Sequence, residues 1–420
     1  MNQRGTPTAV LGYSGGLDTS VMIHWLKANY HVDVICVLVD VGQPLTNLDD
    51  AVARAKKNGA AKVIVVDAKD EFARDFVAPT LKANAMYEDV YPLATSIARP
   101  VIAKHLVDVA RKEGAELIAH GCTGKGNDQV RFEVTIRALA AATQPRGADA
   151  SAGASSAPEL KVIAPLREWT MTRPQEIEYA AKNNVLIPDL AKKSEFSTDE
   201  NLWGRSVEAG VLENPENEVV KEAWAWTTAP EDAPDTPEFV TIGFQKGVPV
   251  TVNGKQLGLA ELVAYMNEIA GAHGVGRIDH VENRLVGIKS REVYEAPAAV
   301  ALITAKKALE ALTLTRDVSH YKTQLEDKFA ELAYDGLWYS PLRLAISAFL
   351  DEVNQWNTGE VTLKLYKGSI TLAGRSSDVS LYTKHLATYD AGDTFNHKSA
   401  AGFIDIWGLP LANAAKVRKE

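Results

Sequence analysis

The chain reads as an α/β protein: a doubly wound parallel-sheet nucleotide-binding domain, an α+β synthetase and multimerisation domain, and a C-terminal arm. Three observations carry this reading. Short apolar runs alternate with helical patterns through the first part of the chain, and later segments switch to paired apolar runs around tight-turn dipeptides. The length of 420 residues also exceeds the size at which one hydrophobic core stops growing.

In chain order, residues 8–13 form a strand, a helix starts at Thr19, residues 32–39 form a strand, a helix starts at Leu48, and residues 62–66 form a strand. The rhythm continues with a helix over 101–111, a strand over 116–120, a helix over 130–142 and a strand over 162–165. Strands separated by helices pair in parallel, which places helices on both faces of the sheet. Residues 142–159 are mostly Ala, Ser, Gly and Pro, too poor in apolar surface to offset their ordering entropy, and read as a mobile surface insertion. Thr172 before Arg173-Pro174 is an N-cap with proline in the first turn, opening a helix toward Lys182. A boundary near Asp189 gives domains 1–190 and 191–400, with the arm at 401–420.

In the second domain, residues 239–244 and 250–252 with the turn Asn253-Gly254 predict antiparallel hairpin structure beside a helix over 259–270. The alanine-rich stretch 296–312 suits a buried or intersubunit helix. Residues 361–365 and 370–372 flank Lys367-Gly368-Ser369 as a later hairpin, and the arm starts at about Gly402.

Bulk properties exclude several classes. No apolar run is long enough to cross a bilayer, and the polar start at residues 1–7 lacks the pattern of a secretory signal, so a cytoplasmic location is expected. The two cysteines, Cys36 and Cys122, give no disulfide framework, zinc site or iron-sulfur cluster. A net charge of -9 argues against nucleic acid, which needs a cationic face.

The strongest functional signal is the string Ser14-Gly15-Gly16-Leu17-Asp18-Thr19-Ser20, placed between the first strand and an apolar helix. Glycines there let the backbone approach phosphate oxygens, and the unpaired amides of the helix start supply donors and partial positive charge. One anion at one helix start gains only about 0.3–1 kcal/mol, so several amides and hydroxyls must converge. No lysine follows the glycines, so this is not the phosphate loop of kinase-type chemistry. The bland alternative is a tight turn with Asp18 as a helix-start carboxylate. The string resembles the signature loop of the N-type ATP pyrophosphatases, which cleave ATP between the α and β phosphates to adenylylate an acceptor.

Further segments narrow the substrate. Residues 87–91 (YEDVY) lead to 93–100 (LATSIARP), and strand 117–120 opens into 121–132 (GCTGKGNDQVRF), where Asn127 can donate and accept through one amide and Arg131 can clamp a carboxylate. These segments, with 273–279 (HGVGRID) and 281–284 (VENR), resemble the argininosuccinate synthases over nearly the whole chain outside 142–159 and the two ends.

That resemblance implies attack of the citrulline ureido oxygen on the α-phosphorus of ATP, giving citrullyl-AMP and pyrophosphate, after which aspartate displaces AMP. By the same resemblance Gly12, Tyr13, Ser14, Gly15, Gly16, Leu17, Asp18, Thr19, Ser20, Val39 and Gly121 bind ATP. Citrulline meets Tyr91, Ser96, Asn127, Arg131, Ser197, Ser206, Glu282 and Tyr294; aspartate meets Thr123, Asn127 and Asp128. A homotetramer is implied as well. Gly12 departs from the alanine of many relatives, and Val39 would contribute mainly its backbone.

Phosphate chemistry also calls for Mg2+, with Asp18 or Asp128 as candidate ligands and none assigned. Tyr91 reads alternatively as a half-buried packing aromatic, and Ser197 as an N-cap before Asp199-Glu200-Asn201. His24 reads as a partly exposed helix residue, His120 as a core histidine and Cys122 as a packing residue. Rival readings are an RNA-modifying thiolase or an amidotransferase synthetase, both short of the required cysteines, and an ATP-sensing module, which leaves the polar motifs of the second domain unexplained.

Overall fold

The computed structural model describes residues 6–44, 48–142, 160–169, 171–188 and 196–418. The N-terminal sheet is parallel and contains β1 (Thr8–Gly12), β2 (Asp33–Asp40), β3 (Lys62–Asp67), β4 (Leu117–Ala119) and β5 (Lys161–Ile163), in the order β3-β2-β1-β4-β5. Strand alternation explains the double winding. Ala9, Leu11, Val34, Cys36 and Leu38 bury against the helices Leu17–Tyr30 and Leu48–Lys57. Val10, Ile35, Val37 and Val39 point the other way, into the core shared with the helix Ala94–Lys112. Both faces are covered, so β2 is a continuous apolar run. The chain steps outward from β1 to β3 and then returns to β4, which opens a crevice at the carboxyl ends of β1 and β4.

Several helices are longer than the pattern suggested. The helix expected over 101–111 spans Ala94–Lys112 with Pro100 inside it, where the ring removes one amide donor from the helix. The helix expected from Val130 starts at Asp128, since the Asn127 carbonyl accepts from the amides of Val130 (3.0 Å) and Arg131 (3.2 Å). The Thr172 cap is present as a capping box with Gln175. The boundary at 189–190 and the insertion from 143 to 159 lie outside the described residues.

The second half holds two antiparallel sheets. One contains β8 (Glu238–Gln245), β9 (Val248–Val252), β10 (Lys255–Gln256), β13 (Gly359–Tyr366) and β14 (Ser369–Ser376), in the order β10-β9-β8-β13-β14. Lys246-Gly247, Asn253-Gly254 and Lys367-Gly368 join its hairpins with positive φ at both central residues, matching the strand twist. Asn253-Gly254 therefore turns from β9 to β10, while Lys246-Gly247 joins β8 to β9. The other sheet was not anticipated: β6 (Ser197–Asn201), β7 (Gly204–Glu208), β11 (Arg277–Asn283) and β12 (Lys289–Glu295), in the order β11-β12-β7-β6.

The alanine-rich helix Pro297–Thr313 is buried within its own chain and packs on the helix Leu259–Ala272. Beside it run Arg316–Tyr334 and Pro341–Asn354. The arm contains the helix His397–Val417, which buries no residue and exposes Phe403, Ile404, Ile406, Trp407, Leu409 and Leu411.

Candidate active site

A cavity of about 700 Å³ lies over the carboxyl ends of β1 and β4 and is closed on its far side by β6, β7, β11 and β12. Gly12, Tyr13, Ser14, Asp18, Thr19, Val39 and Gly121 line it from the nucleotide-binding half, with Tyr91, Thr123, Asn127, Asp128 and Arg131 beyond them. Ser197, Ser206, Glu282 and Tyr294 line it from the antiparallel sheet. Gly15, Gly16, Leu17, Ser20 and Ser96 are the expected residues that do not reach the wall. Leu17, Ser20 and Ser96 are buried behind it, and the two glycines form the bend.

That bend is built from its own sequence. Gly15 has φ +79°, a conformation that L side chains rarely adopt, and a Cβ there would lie 3.1 Å from the Ala51 Cβ. The Gly15 carbonyl accepts from Arg54 Nη2 at 2.9 Å, and the Gly16 amide donates to Ser14 Oγ at 3.3 Å. Ser14 and Thr19 hydroxyls pair at 3.1 Å, and Tyr13 is anchored by its amide on the Val37 carbonyl. The first helical amides from Leu17 have no acceptor earlier in the helix and face the end of the crevice. Asp18 stands in this first turn, and burial together with the Asp18 carboxylate raises the Glu176 carboxyl well above its ordinary range.

The part of the cavity remote from the bend is a polar network with aromatic walls. Tyr91 is 1% exposed, more buried than the half-buried packing aromatic expected; it belongs to the core, borders the cavity and stacks on Tyr294 with centroids 4.1 Å apart. Its hydroxyl accepts from the Thr95 amide at 2.8 Å, which orients the start of the helix Ala94–Lys112. Glu282 accepts from the Tyr294 hydroxyl at 2.6 Å and the Tyr334 hydroxyl at 2.5 Å. Cross-strand pairing puts Tyr294 directly opposite Ser206, while their neighbours Val293 and Val207 face a separate small core. The two-residue period of β7 and β12 thus delivers Ser206 and Tyr294 to the cavity together. Ser197 starts β6, so it is not a helix N-cap.

Arg131 is already largely engaged: Nε donates to the Tyr334 carbonyl at 2.8 Å, and Nη1 to Asp128 at 2.9 Å. Its Nη2 is buried without a partner, leaving one donor edge for a ligand rather than a free fork. Asn127 donates to the Tyr334 hydroxyl (2.8 Å) and accepts from the Leu285 amide (2.9 Å).

Sequence reasoning passed over several charged wall residues. Arg99 is set between Asp128, at 2.8 Å, and Asp199. Burial pushes the Asp128 carboxyl up, but Arg99 and Arg131 outweigh it and hold Asp128 below its usual range. Asp199 goes the other way, raised by burial that Arg99 only partly offsets. Arg284 pairs with Glu208 at 2.5 Å and with Glu292, whose carboxyl is raised by burial and the nearby Glu208 charge. Arg99 sits in the quoted run 93–100 and Arg284 in 281–284, so residue type and position were visible; their partners, far along the chain, were not.

Of the three residues read as bystanders, His24 lies away from the cavity, whereas His120 and Cys122 both line it. His24 bonds the Tyr179 hydroxyl through Nδ1 at 2.9 Å on the helix flank. His120 is 1% exposed, stacks on Phe132, and takes the Cys122 amide on Nδ1 at 3.3 Å. Burial raises the Cys122 thiol strongly, away from the thiolate a nucleophile needs.

Comparison with known proteins agrees along the whole chain. Residues 8–145 match the family model described as Arginosuccinate synthase N-terminal HUP domain, and residues 196–414 the one described as Arginosuccinate synthase C-terminal domain. The chain is 53% identical over 410 residues to the argininosuccinate synthase of Symbiobacterium thermophilum, covering 98% of each chain. It is 51% identical over 416 residues to that of Rubrobacter xylanophilus (99% of this chain, 97% of the relative). With that of Halalkalibacterium halodurans it shares 53% identity over 411 residues (98% and 96%).

Proposed function

Because this chain belongs to the argininosuccinate synthase family, we infer how the cavity over β1 and β4 divides among three substrates. The activity is the ATP-dependent ligation of citrulline and aspartate in arginine biosynthesis. One observation supports the division most directly: Ser14, Asp18 and Thr19 at the bend after β1 and Asn127, Asp128 and Arg131 after β4 line the same space.

The β and γ phosphates rest on the bend 14–20, where helix-start amides and the Ser14 and Thr19 hydroxyls converge. Tyr13, the remaining residues of 12–20, Val39 and Gly121 complete the nucleotide side. Citrulline lies against Tyr91 and Tyr294, with Arg131 Nη2 for its carboxylate, Glu282 for its ammonium, and Asn127, Ser96, Ser197 and Ser206 around it. Ser96 acts from behind Tyr91. Aspartate takes Thr123, Asp128 and the remaining donor of Asn127.

Placed this way, the ureido oxygen attacks the α-phosphorus, an oxygen–phosphorus bond forms and pyrophosphate leaves. The aspartate amine then attacks the activated carbon, the carbon–oxygen bond breaks and AMP departs. The ureido carbon becomes a useful electrophile only once its oxygen is a phosphate ester, so positioning supplies most of the catalysis.

Mg2+ accompanies the nucleotide. Asp18 fits it, because its carboxylate lines the cavity beside the bend and the cation takes most of its ligands from phosphate and water. Asp128 does not fit, being held by Arg99 and Arg131. Bound Mg2+ would neutralise phosphate charge. The exposed helix His397–Val417 is the element through which a homotetramer assembles. A cytoplasmic location accords with the absence, among the described residues, of any helix long and apolar enough to cross a membrane.

The test is Arg131→Ala with steady-state kinetics and ureido oxygen-labelled citrulline. We expect KM for citrulline to rise about 100-fold while KM for ATP stays within about twofold, and the label to leave in AMP. Equal losses for both substrates, or label retained in the amino-acid product, would reject the assignment.

A further inference from the structure

The groups assigned to citrulline converge on a residue that does not border the cavity. Tyr334 ends the helix Arg316–Tyr334 and is fully buried. Its hydroxyl accepts from Asn127 Nδ2 at 2.8 Å and donates to Glu282 at 2.5 Å. The direction is fixed from outside: Asn127 Oδ1 is occupied by the Leu285 amide, so its Nδ2 faces Tyr334. The single phenolic proton is then left for Glu282. The Tyr334 carbonyl accepts from Arg131 Nε at 2.8 Å, and the Arg131 guanidinium lies 4.7 Å over the Tyr334 ring. On its other side the ring stacks on Tyr87, with centroids 3.5 Å apart and planes within 5°.

We propose that Tyr334 is a positioning residue for both amino-acid substrates, setting the carboxamide of Asn127, the carboxylate of Glu282 and the guanidinium of Arg131 in one mutual geometry. The inference rests on the substrate assignment above. It goes further in making the end of one C-terminal helix the common support for three groups carried on the helix Asp128–Ala142, the turn before it, and β11. Burial and the Glu282 charge keep the phenol protonated, so it stays a donor to Glu282 across the working pH range. Without the hydroxyl, Asn127 can rotate about its side chain and Glu282 keeps only Tyr294. Because Asn127 faces both amino acids, the loss reaches both; the phosphate bend has no contact with Tyr334 and is spared.

The experiment is Tyr334→Phe, which keeps the ring and its stacking and removes only the hydroxyl. Steady-state kinetics in each substrate are measured beside thermal unfolding. The expected result is a rise in KM for citrulline and for aspartate of about 10- to 100-fold, the range for losing a hydrogen bond to a charged group, with KM for ATP within about twofold. In a cycle with Glu282→Gln the two effects should be less than additive, since both remove the same bond. Unchanged amino-acid KM values overturn the proposal. So does a uniform rise in all three with a lowered unfolding temperature, which marks a purely structural role. Asn127→Ala and Glu282→Gln, measured in parallel, separate the layers. If they leave citrulline KM unchanged, the site assignment itself fails; if they raise it and Tyr334→Phe does not, only the role of Tyr334 falls.

Discussion

Replacing Glu310 by Gln tests the buried charge cluster that joins the helices Pro297–Thr313 and Arg316–Tyr334. Glu310 pairs with Lys306 and, at 3.1 Å, with Lys322, and its second oxygen accepts from Asn84 at 2.7 Å. Lys306 and Lys322 are 0% and 1% exposed, so the substitution strands two buried cations with Glu326 as the remaining carboxylate. Removing one partner of such a cluster costs about 3–5 kcal/mol. Protonation sets part of that cost. Burial already lowers Lys306 to about 8 despite the opposing pull of Glu310, against about 10.4 in an unfolded chain. A lowered folded value means the folded state binds fewer protons, so the contribution of this lysine to stability is poorest below pH 8 and improves as pH rises toward 10.4.

Without its counter-charge, Lys306 is lowered further in the folded variant, because the pull of Glu310 that opposes burial is gone. This proton-linked part of the penalty is present at pH 7 and fades by pH 9, where Lys306 has largely lost its proton in both folded proteins. The rest comes from the bonds lost at Lys322 and Asn84. Urea unfolding at pH 7 and pH 9 reads this directly, with the penalty shrinking at the higher pH. For a chain of 420 residues the pH 7 penalty lowers the thermal midpoint by about 3–6 °C. A penalty under about 1 kcal/mol at pH 7, or one that grows with pH, would refute the reasoning.

Two more outcomes follow from local geometry. Gly336 has φ +76°, and a Cβ there would sit 2.8 Å from Arg131 Cα, so Gly336→Ala should strain the backbone by about 1–2 kcal/mol and cut kcat/KM for citrulline by about tenfold or more through displaced Arg131, with ATP binding retained by fluorescence titration. Ending the chain after Phe395 removes the helix His397–Val417 and its exposed apolar residues; sedimentation should then show a smaller assembly than the parent, and an unchanged mass would remove the arm from assembly.

The parallel sheet was legible because a strand buried on both faces, such as β2, is an almost continuous apolar run, and the helix after β5 carries a cap that sequence displays at Thr172. The third sheet was not, for a physical reason. Its strands read STDEN, GRSVE, RIDHVEN and KSREVYE, because one face lines a polar cavity and the other carries charge pairs such as Arg205–Glu295. Hydrophobic periodicity is blind to a strand whose inward side chains are Glu282, Ser206 and Tyr294. Only β11 was visible as a motif, through 273–279 and 281–284; Ser197, Ser206 and Tyr294 on the other strands came from the family resemblance alone. Tyr334 escaped both routes: it is one aromatic in an ordinary amphipathic helix, and only the tertiary contact with Asn127 and Glu282 gives it meaning.

Charge bookkeeping around the cavity bears on how a triphosphate can be held there. Arg99 is shared between Asp128 and Asp199, Arg131 between Asp128 and the Tyr334 carbonyl, and Arg284 between Glu208 and Glu292. Each wall guanidinium is therefore already paired with a carboxylate, and the bend itself carries no lysine. Helix-start amides contribute only about 0.3–1 kcal/mol per charge. On the proposed division of the cavity, an accompanying Mg2+ would supply most of the phosphate neutralisation, with the described residues of the wall supplying shape, hydroxyls and the Asp18 carboxylate. Pyrophosphate would then leave as a metal complex that carries away much of its own charge balance. The arginines, spared from phosphate, are free to fix the carboxylates and amides that read two amino acids.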